Sequence, residues 1–189
     1  MTSHSVPPTK PQAAEPAVPY GASPLSPFSA VHDTGLLLLR LALGLTMAAH
    51  GSQKLFGWFG GGGISGTGAF FTKSGYPAGD TMALLAGLTE TLGGLGLAVG
   101  LLTPLAAAAL VGTLVNAVAV HGTGAFFAPK GSEYELLLTV VAAALALTGP
   151  GRYALDRFLP GLRTPRPAVG ALAVLLGLVL GGALLLVRN

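Results

Sequence analysis

The chain contains no cysteine among its 189 residues. Disulfide exchange, thiol catalysis, cysteine-ligated iron–sulfur clusters and c-type haem attachment are therefore excluded within this chain. Any thiol chemistry connected with this protein must belong to a partner.

Charge is also scarce. Asp, Glu, Lys and Arg make up 9% of the residues, against about 25% in an ordinary soluble domain. Hydrophobic residues make up 51%, and the mean hydropathy is +0.69. So few charges cannot cover the surface of a soluble protein of this size, which indicates a membrane protein. No basic stripe with interleaved aromatic residues is present, so we expect no nucleic-acid partner. We also expect no metal site.

Proline is concentrated at one end of the chain. Residues 1–30 contain seven of the 14 prolines, with Ser, Ala and Thr between them. Such a segment cannot bury a core and is predicted to be a disordered tail. The basic region followed directly by an apolar core, which is typical of a cleaved signal peptide, is missing.

Five apolar segments have about the length that a membrane-spanning helix needs. The predicted spans 1 to 5 cover residues 34–56, 80–102, 103–121, 132–149 and 168–187. Thr103-Pro104 begins span 3 with a helix cap and a proline at the first helical position. The sequence predicts an all-α integral membrane protein. It would consist of a four-helix bundle (34–160), an additional C-terminal transmembrane helix (168–187) and the tail (1–30).

The segment 55–80 separates spans 1 and 2 and reads LFGWFGGGGISGTGAFFTKSGYPAGD. Glycines disfavour helix, and aromatic rings settle at the headgroup level of a membrane. This glycine-rich segment is therefore predicted to be a loop with a short interfacial piece. It does not match a phosphate-binding loop, because no strand precedes it and no Lys-Ser/Thr pair closes the pattern.

Arginines in the connection between spans 4 and 5 set the expected orientation. Arg152, Arg157, Arg163 and Arg166 lie there, and short loops rich in Lys and Arg stay in the cytoplasm. We therefore expect a multi-pass protein of the plasma membrane with a cytoplasmic N-terminus. The glycine-rich segment and the loop 122–131 would then share the outer face.

Glu90 is the most informative polar residue, because it lies ten residues into span 2 and about 15 Å deep. A carboxyl group there must be protonated, paired or hydrogen-bonded. His50 and Lys54 share one face of span 1, and Arg40 points broadly the same way. Depth favours His50 as the first partner and Arg40 as the second, with Lys54 facing outward. We predict that Arg40, His50, Lys54 and Glu90 form a polar centre, which is either a structural ion pair or a ligand or proton site.

Three further residues are secondary candidates. His121 ends span 3 with Asn116 one and a half turns earlier, and a histidine at a helix end usually interacts with the helix dipole. His50 and His121 together are also an alternative ligand pair for haem b. Asp156, in the connection after span 4, offers an alternative partner for Arg40.

Short motifs along residues 35–160 resemble the DoxX family of small membrane proteins. They are R-x3-G at Arg40–Gly44, HGxxKL at His50–Leu55, E-x2-GG at Glu90–Gly94, G-x-L-T-P at Gly100–Pro104, and GPGR at 149–152 followed by Asp156. The resemblance implies a four-helix membrane bundle related to the small subunit of thiosulfate:quinone oxidoreductase. Some members are linked to membrane oxidoreductase complexes that handle oxidative stress and thiol balance. The fifth span and the proline-rich tail depart from the family pattern.

The resemblance and the polar centre together suggest an integral membrane subunit of a redox or oxidative-stress-related complex. Quinone is the expected cofactor, because His or Lys donates hydrogen bonds to a carbonyl and Glu exchanges a proton. The alternatives are a non-catalytic anchor or assembly protein, and a small-molecule or proton transporter. Whether the chain is itself an enzyme stays open. Expected partners are the bilayer and redox proteins.

Span 5 is expected to lie outside the site. It carries no ionisable side chain, and Gly177 and Gly181 form a G-x3-G pair, which lets helices approach closely in lipid. We predict that it packs against the outside of the four-helix core or against another copy in a homo-oligomer. It would contribute nothing to the site.

Overall fold

A computed structural model describes residues 27–122, 124–127, 131–162 and 166–189, with side chains from residue 29 onward. The described residues form helices and connecting turns, without strands, which confirms the all-α prediction. The helices are α1 (Pro27–Phe56), α2 (Gly63–Lys73), α3 (Gly79–Val99), α4 (Thr103–His121), α5 (Glu133–Thr148) and α6 (Pro167–Leu186). Residues 1–26 of the predicted tail lie outside the described residues. Helix α1 begins at Pro27, before the predicted start at Thr34.

Four of these helices, α1, α3, α4 and α6, are long and apolar enough to cross a membrane. The α5 helix has 16 residues and is about 24 Å long, which is less than the roughly 30 Å of a hydrocarbon core. Its ends nevertheless lie at opposite ends of the bundle. The Glu133 amide donates to the Phe126 carbonyl, whereas the Arg152 amide donates to Asp33 in α1. A crossing by α5 stays a prediction.

The glycine-rich segment contains more helix than the sequence suggested. Residues Gly63–Lys73 form the 11-residue helix α2, where a loop with a short interfacial piece was predicted. Three glycines between the end of α1 and the first residue of α2 have positive φ angles. The angles are 72° at Gly57, 78° at Gly60 and 62° at Gly63. Only glycine adopts such angles at little cost. The glycines of the turn therefore leave the following residues free to form a helix.

Glycines also bring α1 and α3 into contact along their backbones. A Cβ atom added at Gly44 would lie 2.5 Å from the Gly94 carbonyl oxygen and 2.7 Å from the Ala98 nitrogen. Gly51, two turns further along α1, faces Gly87 and Thr91 in the same way. Small residues permit such close approach between helices in lipid. The backbones of the antiparallel helices α1 and α3 are therefore in direct contact at these glycines.

The α6 helix packs on α4 within the same chain through its predicted glycine pair. Gly177 lies against the Ala108 carbonyl and Gly181 lies against Gly112, which confirms packing on the outside of the core. Leucine and valine side chains on the opposite face of α6 are exposed. A homo-oligomer through α6 stays a prediction, and it would have to use this outward face because the glycine face is occupied.

The helix termini define two ends of the bundle. At the arginine end, Asp33 of α1 meets Arg152, and the Asp156 amide donates to the Gly100 carbonyl after α3. At the glycine-rich end, the glycine-rich segment meets the end of α6, where Arg188 donates to the Ser74 carbonyl. The two predicted outer loops therefore do share one end. Which membrane face this end occupies stays a prediction, and Arg163 lies outside the described residues.

Single cysteines would test both the orientation and the crossing by α5. The protein has no native cysteine, so Gly62→Cys, Phe126→Cys and Gly161→Cys each supply one thiol. With an impermeant maleimide on intact cells, positions 62 and 126 are expected to label, and position 161 only after permeabilisation. Labelling at 161 alone would invert the orientation. Equal labelling at 126 and 161 would show that α5 does not cross.

Candidate functional site

A cavity of about 270 Å³ lies between the helices at the glycine-rich end. Most of its wall is apolar, and helices α1 to α6 all contribute to it. Its ionisable lining residues are His50, Lys54, Tyr76, Glu90, His121, Tyr134 and Glu135. An apolar pocket with a few converging polar groups is the usual form of a small-molecule site.

An ion pair between Lys54 and Glu90 forms part of this wall. The Lys54 Nζ atom lies 2.6 Å from the Glu90 Oε2 atom, and the side chains are 23% and 6% exposed. The prediction that His50 and then Arg40 would pair with Glu90 is therefore wrong, as is the outward direction of Lys54. Successive residues of an α-helix are about 100° apart around the helix axis. Measured around this axis from Gly51, which faces α3, Lys54 is about 60° away and His50 is about 100° away. The long lysine chain then reaches back along the helix to Glu90.

His50 faces α5 and lines the same cavity. Its Nδ1 atom lies 3.1 Å from the Gln53 Oε1 atom, and its Nε2 atom lies 3.5 Å from the Tyr134 hydroxyl. The two rings are 6.1 Å apart between centroids. Tyr134 was not predicted as a site residue. Its position in the first turn of α5, where Ser132 and Glu135 have the spacing of a capping box, was the available signal.

His121 and Glu135 close the cavity on the α4–α5 side. The His121 Nδ1 atom lies 3.2 Å from the Glu135 Oε1 atom and 3.2 Å from the Ala117 carbonyl oxygen. The structure thus brings the secondary candidate His121 to the same cavity as His50. Each ring already has a hydrogen-bond partner, and the haem alternative stays a hypothesis. Glu135 was not predicted as a site residue, because an acidic residue in the first turn of a helix already has an explanation in the helix dipole.

Asn116 joins three elements at the cavity wall. Its Nδ2 atom donates to the Gly112 and Gly181 carbonyls, both at 2.9 Å, and its Oδ1 atom accepts from the Tyr76 hydroxyl at 2.9 Å. Burial raises the pKa of the Tyr76 phenol, although nearby Arg188 acts in the opposite direction. Tyr76 therefore remains a donor, and the Asn116 amide is fully engaged in joining α4, α6 and the turn before α3.

The α6 helix contributes to the site, contrary to the prediction. Leu184 lines the cavity. Two residues after the helix, Arg188 donates to the Ser74 and Ala119 carbonyls, both at 2.8 Å, and its guanidinium lies 5.7 Å from the Tyr76 ring centroid. The close glycine packing on α4 brings the end of α6 near enough to reach the cavity.

Arg40 and Asp156 lie at the arginine end and do not line the cavity. Arg40 is fully buried and donates to the Tyr153 carbonyl at 2.8 Å and the Ala98 carbonyl at 3.4 Å. Asp156 accepts from the Leu102 and Thr103 amides at 2.6 Å and 2.9 Å, and its charge attracts Arg40. Arg40 is thus not part of the polar centre. It meets the segment that contains Asp156 through the Tyr153 carbonyl, and within the described residues it forms no ion pair with Asp156 itself.

Comparisons with known proteins agree with this architecture. The DoxX family model matches residues 35–123. A Bacillus subtilis (strain 168) protein named "Putative oxidoreductase CatD" is 32% identical over 127 residues, which cover 67% of this chain and 88% of the relative. No solved structure matches. With four helices able to cross a membrane, the protein is a multi-pass membrane protein, and the chain belongs to the DoxX family.

Proposed function

We propose that the chain is a plasma-membrane subunit of a redox complex and that it holds a quinone or the corresponding quinol in the cavity. The observation that carries this proposal is the Lys54–Glu90 ion pair on the wall of an otherwise apolar cavity. A buried ion pair is expensive to keep in a membrane protein, and ionisable residues at such depth commonly mark functional sites.

The cavity fits an uncharged amphipathic ring. Lys54 and Glu90 neutralise each other, so the pair does not call for a charged ligand. The lysine ammonium has three donors, of which one serves Glu90, and another is available to a ligand oxygen. Phe70, Phe71 and Leu184 supply apolar surface for a ring and the start of a tail. Glu90 offers a carboxylate for proton exchange.

The comparison also supports a redox role. The name of the Bacillus relative contains the word oxidoreductase, and we extend that activity class to this chain as part of the proposal. Because the chain has no cysteine, we expect electrons to reach the bound ring from a partner protein. This expectation makes the chain a subunit that binds and positions the ring.

Two tryptophan variants on the same helix test the proposal. Leu184 lines the cavity, whereas Leu172 is 65% exposed on the outward face of α6. The protein is purified in mild detergent with its lipids, and quinones are extracted and identified by mass spectrometry. We expect quinone with the native protein and Leu172→Trp, and a large loss with Leu184→Trp because the indole fills the cavity.

Two results would contradict the proposal. One is native protein that carries no quinone and does not bind added quinone. The other is equal quinone content in the two tryptophan variants. Native protein that retains partner proteins but no small molecule would favour the non-catalytic anchor instead.

A further inference from the structure

The hydrogen bonds of Gln53 fix the tautomer of His50. The Gln53 Nε2 atom donates to the Phe59 carbonyl at 3.3 Å, so its Oε1 atom is the one that faces the His50 Nδ1 atom at 3.1 Å. An amide oxygen only accepts, which places the histidine proton on Nδ1. In the neutral ring, Nε2 is therefore a hydrogen-bond acceptor.

This acceptor is available to a ligand. The Tyr134 hydroxyl is 3.5 Å from Nε2, which is long for a hydrogen bond. The hydrogen bond from the Tyr134 hydroxyl to Nε2 is therefore weak. Since His50 and Tyr134 both line the cavity, a hydroxyl group on a bound ring could donate to Nε2.

Glu135 supplies a second unused acceptor in the same wall. Its Oε1 atom faces the His121 Nδ1 atom at 3.2 Å, and Ala117, which also faces Nδ1, can only accept. The Nδ1 atom therefore carries a proton and donates. The Glu135 Oε2 atom is shielded from solvent and has no hydrogen-bond partner within the described part of the chain. A buried acceptor without a partner costs free energy that a ligand donor would recover.

From this donor and acceptor pattern we propose that the cavity prefers the reduced, hydroxylated form of its ligand, a quinol, over the quinone. A quinone carries only acceptors, so it can accept from Lys54 but leaves the Glu135 Oε2 atom without a donor and the His50 Nε2 atom with only its long contact to Tyr134. A quinol hydroxyl accepts from Lys54 and also donates to His50 or Glu135. The inference rests on the proposed function and adds to it the redox form that the site selects.

Binding of both forms to the native protein tests the preference. Decylubiquinone and, under argon, decylubiquinol are titrated by calorimetry into the full chain in nanodiscs. We expect the quinol to bind about tenfold more tightly or better, since a donor to a buried acceptor typically gains that much. For a two-electron couple, a tenfold preference raises the midpoint potential of the bound ring by about 30 mV.

Variants at Gln53 separate the tautomer effect from a folding defect, since Gln53 is not among the residues that line the cavity. Gln53→Leu removes the acceptor at Nδ1 and frees the tautomer, so the ratio of the two affinities should fall several-fold. Gln53→Glu keeps an acceptor at Nδ1, but its carboxylate favours the imidazolium, in which Nε2 donates, so this variant should also reduce the ratio. Glu135→Gln places an amide donor in the wall and should also reduce the ratio. A variant that merely loosens the fold would weaken both forms alike.

Each outcome decides between the two proposals. Equal affinities, or tighter binding of the quinone by the native protein, overturn the quinol preference and leave the proposed function standing. Binding of neither form overturns the proposed function and the preference together. An unchanged ratio in Gln53→Leu overturns the assigned role of His50.

Discussion

Replacing Lys54 by alanine is expected to lower the free energy of unfolding by about 3–5 kcal/mol, the usual cost of removing one member of a buried charged pair. The variant leaves the Glu90 carboxylate, only 6% exposed, without its cation. Glu90→Ala should cost less, because the remaining ammonium is 23% exposed and can move toward water. The double variant should cost less than the sum of the two single variants. Unfolding of the purified protein in detergent, followed by circular dichroism, measures these differences.

Lys73→Ala is the matched control, because Lys73 is exposed in α2 and exposed charges contribute little to stability. Single-variant effects at Lys54 and Glu90 that simply add would show that the two side chains are not coupled. Stability near that of the native protein for both single variants would contradict a buried pair.

Glu90→Gln distinguishes a structural from a functional role of the pair. Glutamine keeps the shape and the hydrogen bond to Lys54 but removes the negative charge. If the carboxylate exchanges protons with a ligand, the variant should assemble normally and fail to complement an oxidant-sensitive deletion strain. Complementation by every Glu90→Gln protein that reaches the membrane would assign the pair to helix packing alone.

Replacing Gly94 by leucine is expected to prevent the native packing of α1 on α3. A Cβ atom at this position would lie 2.5 Å from the Gly44 carbonyl oxygen and 2.6 Å from the Ala48 nitrogen, so the helices must separate. Overpacking typically costs about 1–3 kcal/mol, and the larger value is expected because backbone atoms cannot rotate away. The amount of folded protein recovered from the membrane, measured by size-exclusion chromatography, should fall sharply.

Gly35→Leu serves as the control for this variant. Gly35 also lies in α1, but among the described residues no heavy atom beyond the adjacent turns of its own helix lies within 4 Å of a Cβ atom added there. Its recovery should match that of the native protein. Equal recovery of both variants would show that the contact between Gly44 and Gly94 does not control assembly.

The apolar segments predicted most of the fold because the length of a membrane helix follows from the thickness of the bilayer. The depth of Glu90 correctly indicated that it needs a partner. The partner was missed because sequence distance gives depth along a helix but not the reach of a flexible lysine chain. Arg40 was misplaced for a related reason. A spacing of 14 residues puts Arg40 and Lys54 on the same side of the helix, but it also separates them by about 21 Å along the axis.

The side of the cavity that α5 forms was harder to predict. Tyr134 and Glu135 belong to the first turn of α5, where acidic residues already have an explanation in the helix dipole. Only the packing of α5 beside α1 and α4 shows that these side chains meet His50 and His121. The contribution of α6 was missed for a similar reason, because a helix with no polar side chain gives no sign of what its end will contact.

The contact between α6 and the cavity has a consequence for biosynthesis. Leu184 completes the wall and Arg188 fastens the turn after α2, yet both are made after every other residue of the site. While the ribosome is still producing the chain, the earlier helices can assemble with the Lys54–Glu90 pair in place and the cavity still open on the α6 side. Closure on the α6 side would then follow the insertion of the other helices. A ring that binds early would be enclosed as α6 inserts, and it would not need to find a way in afterwards.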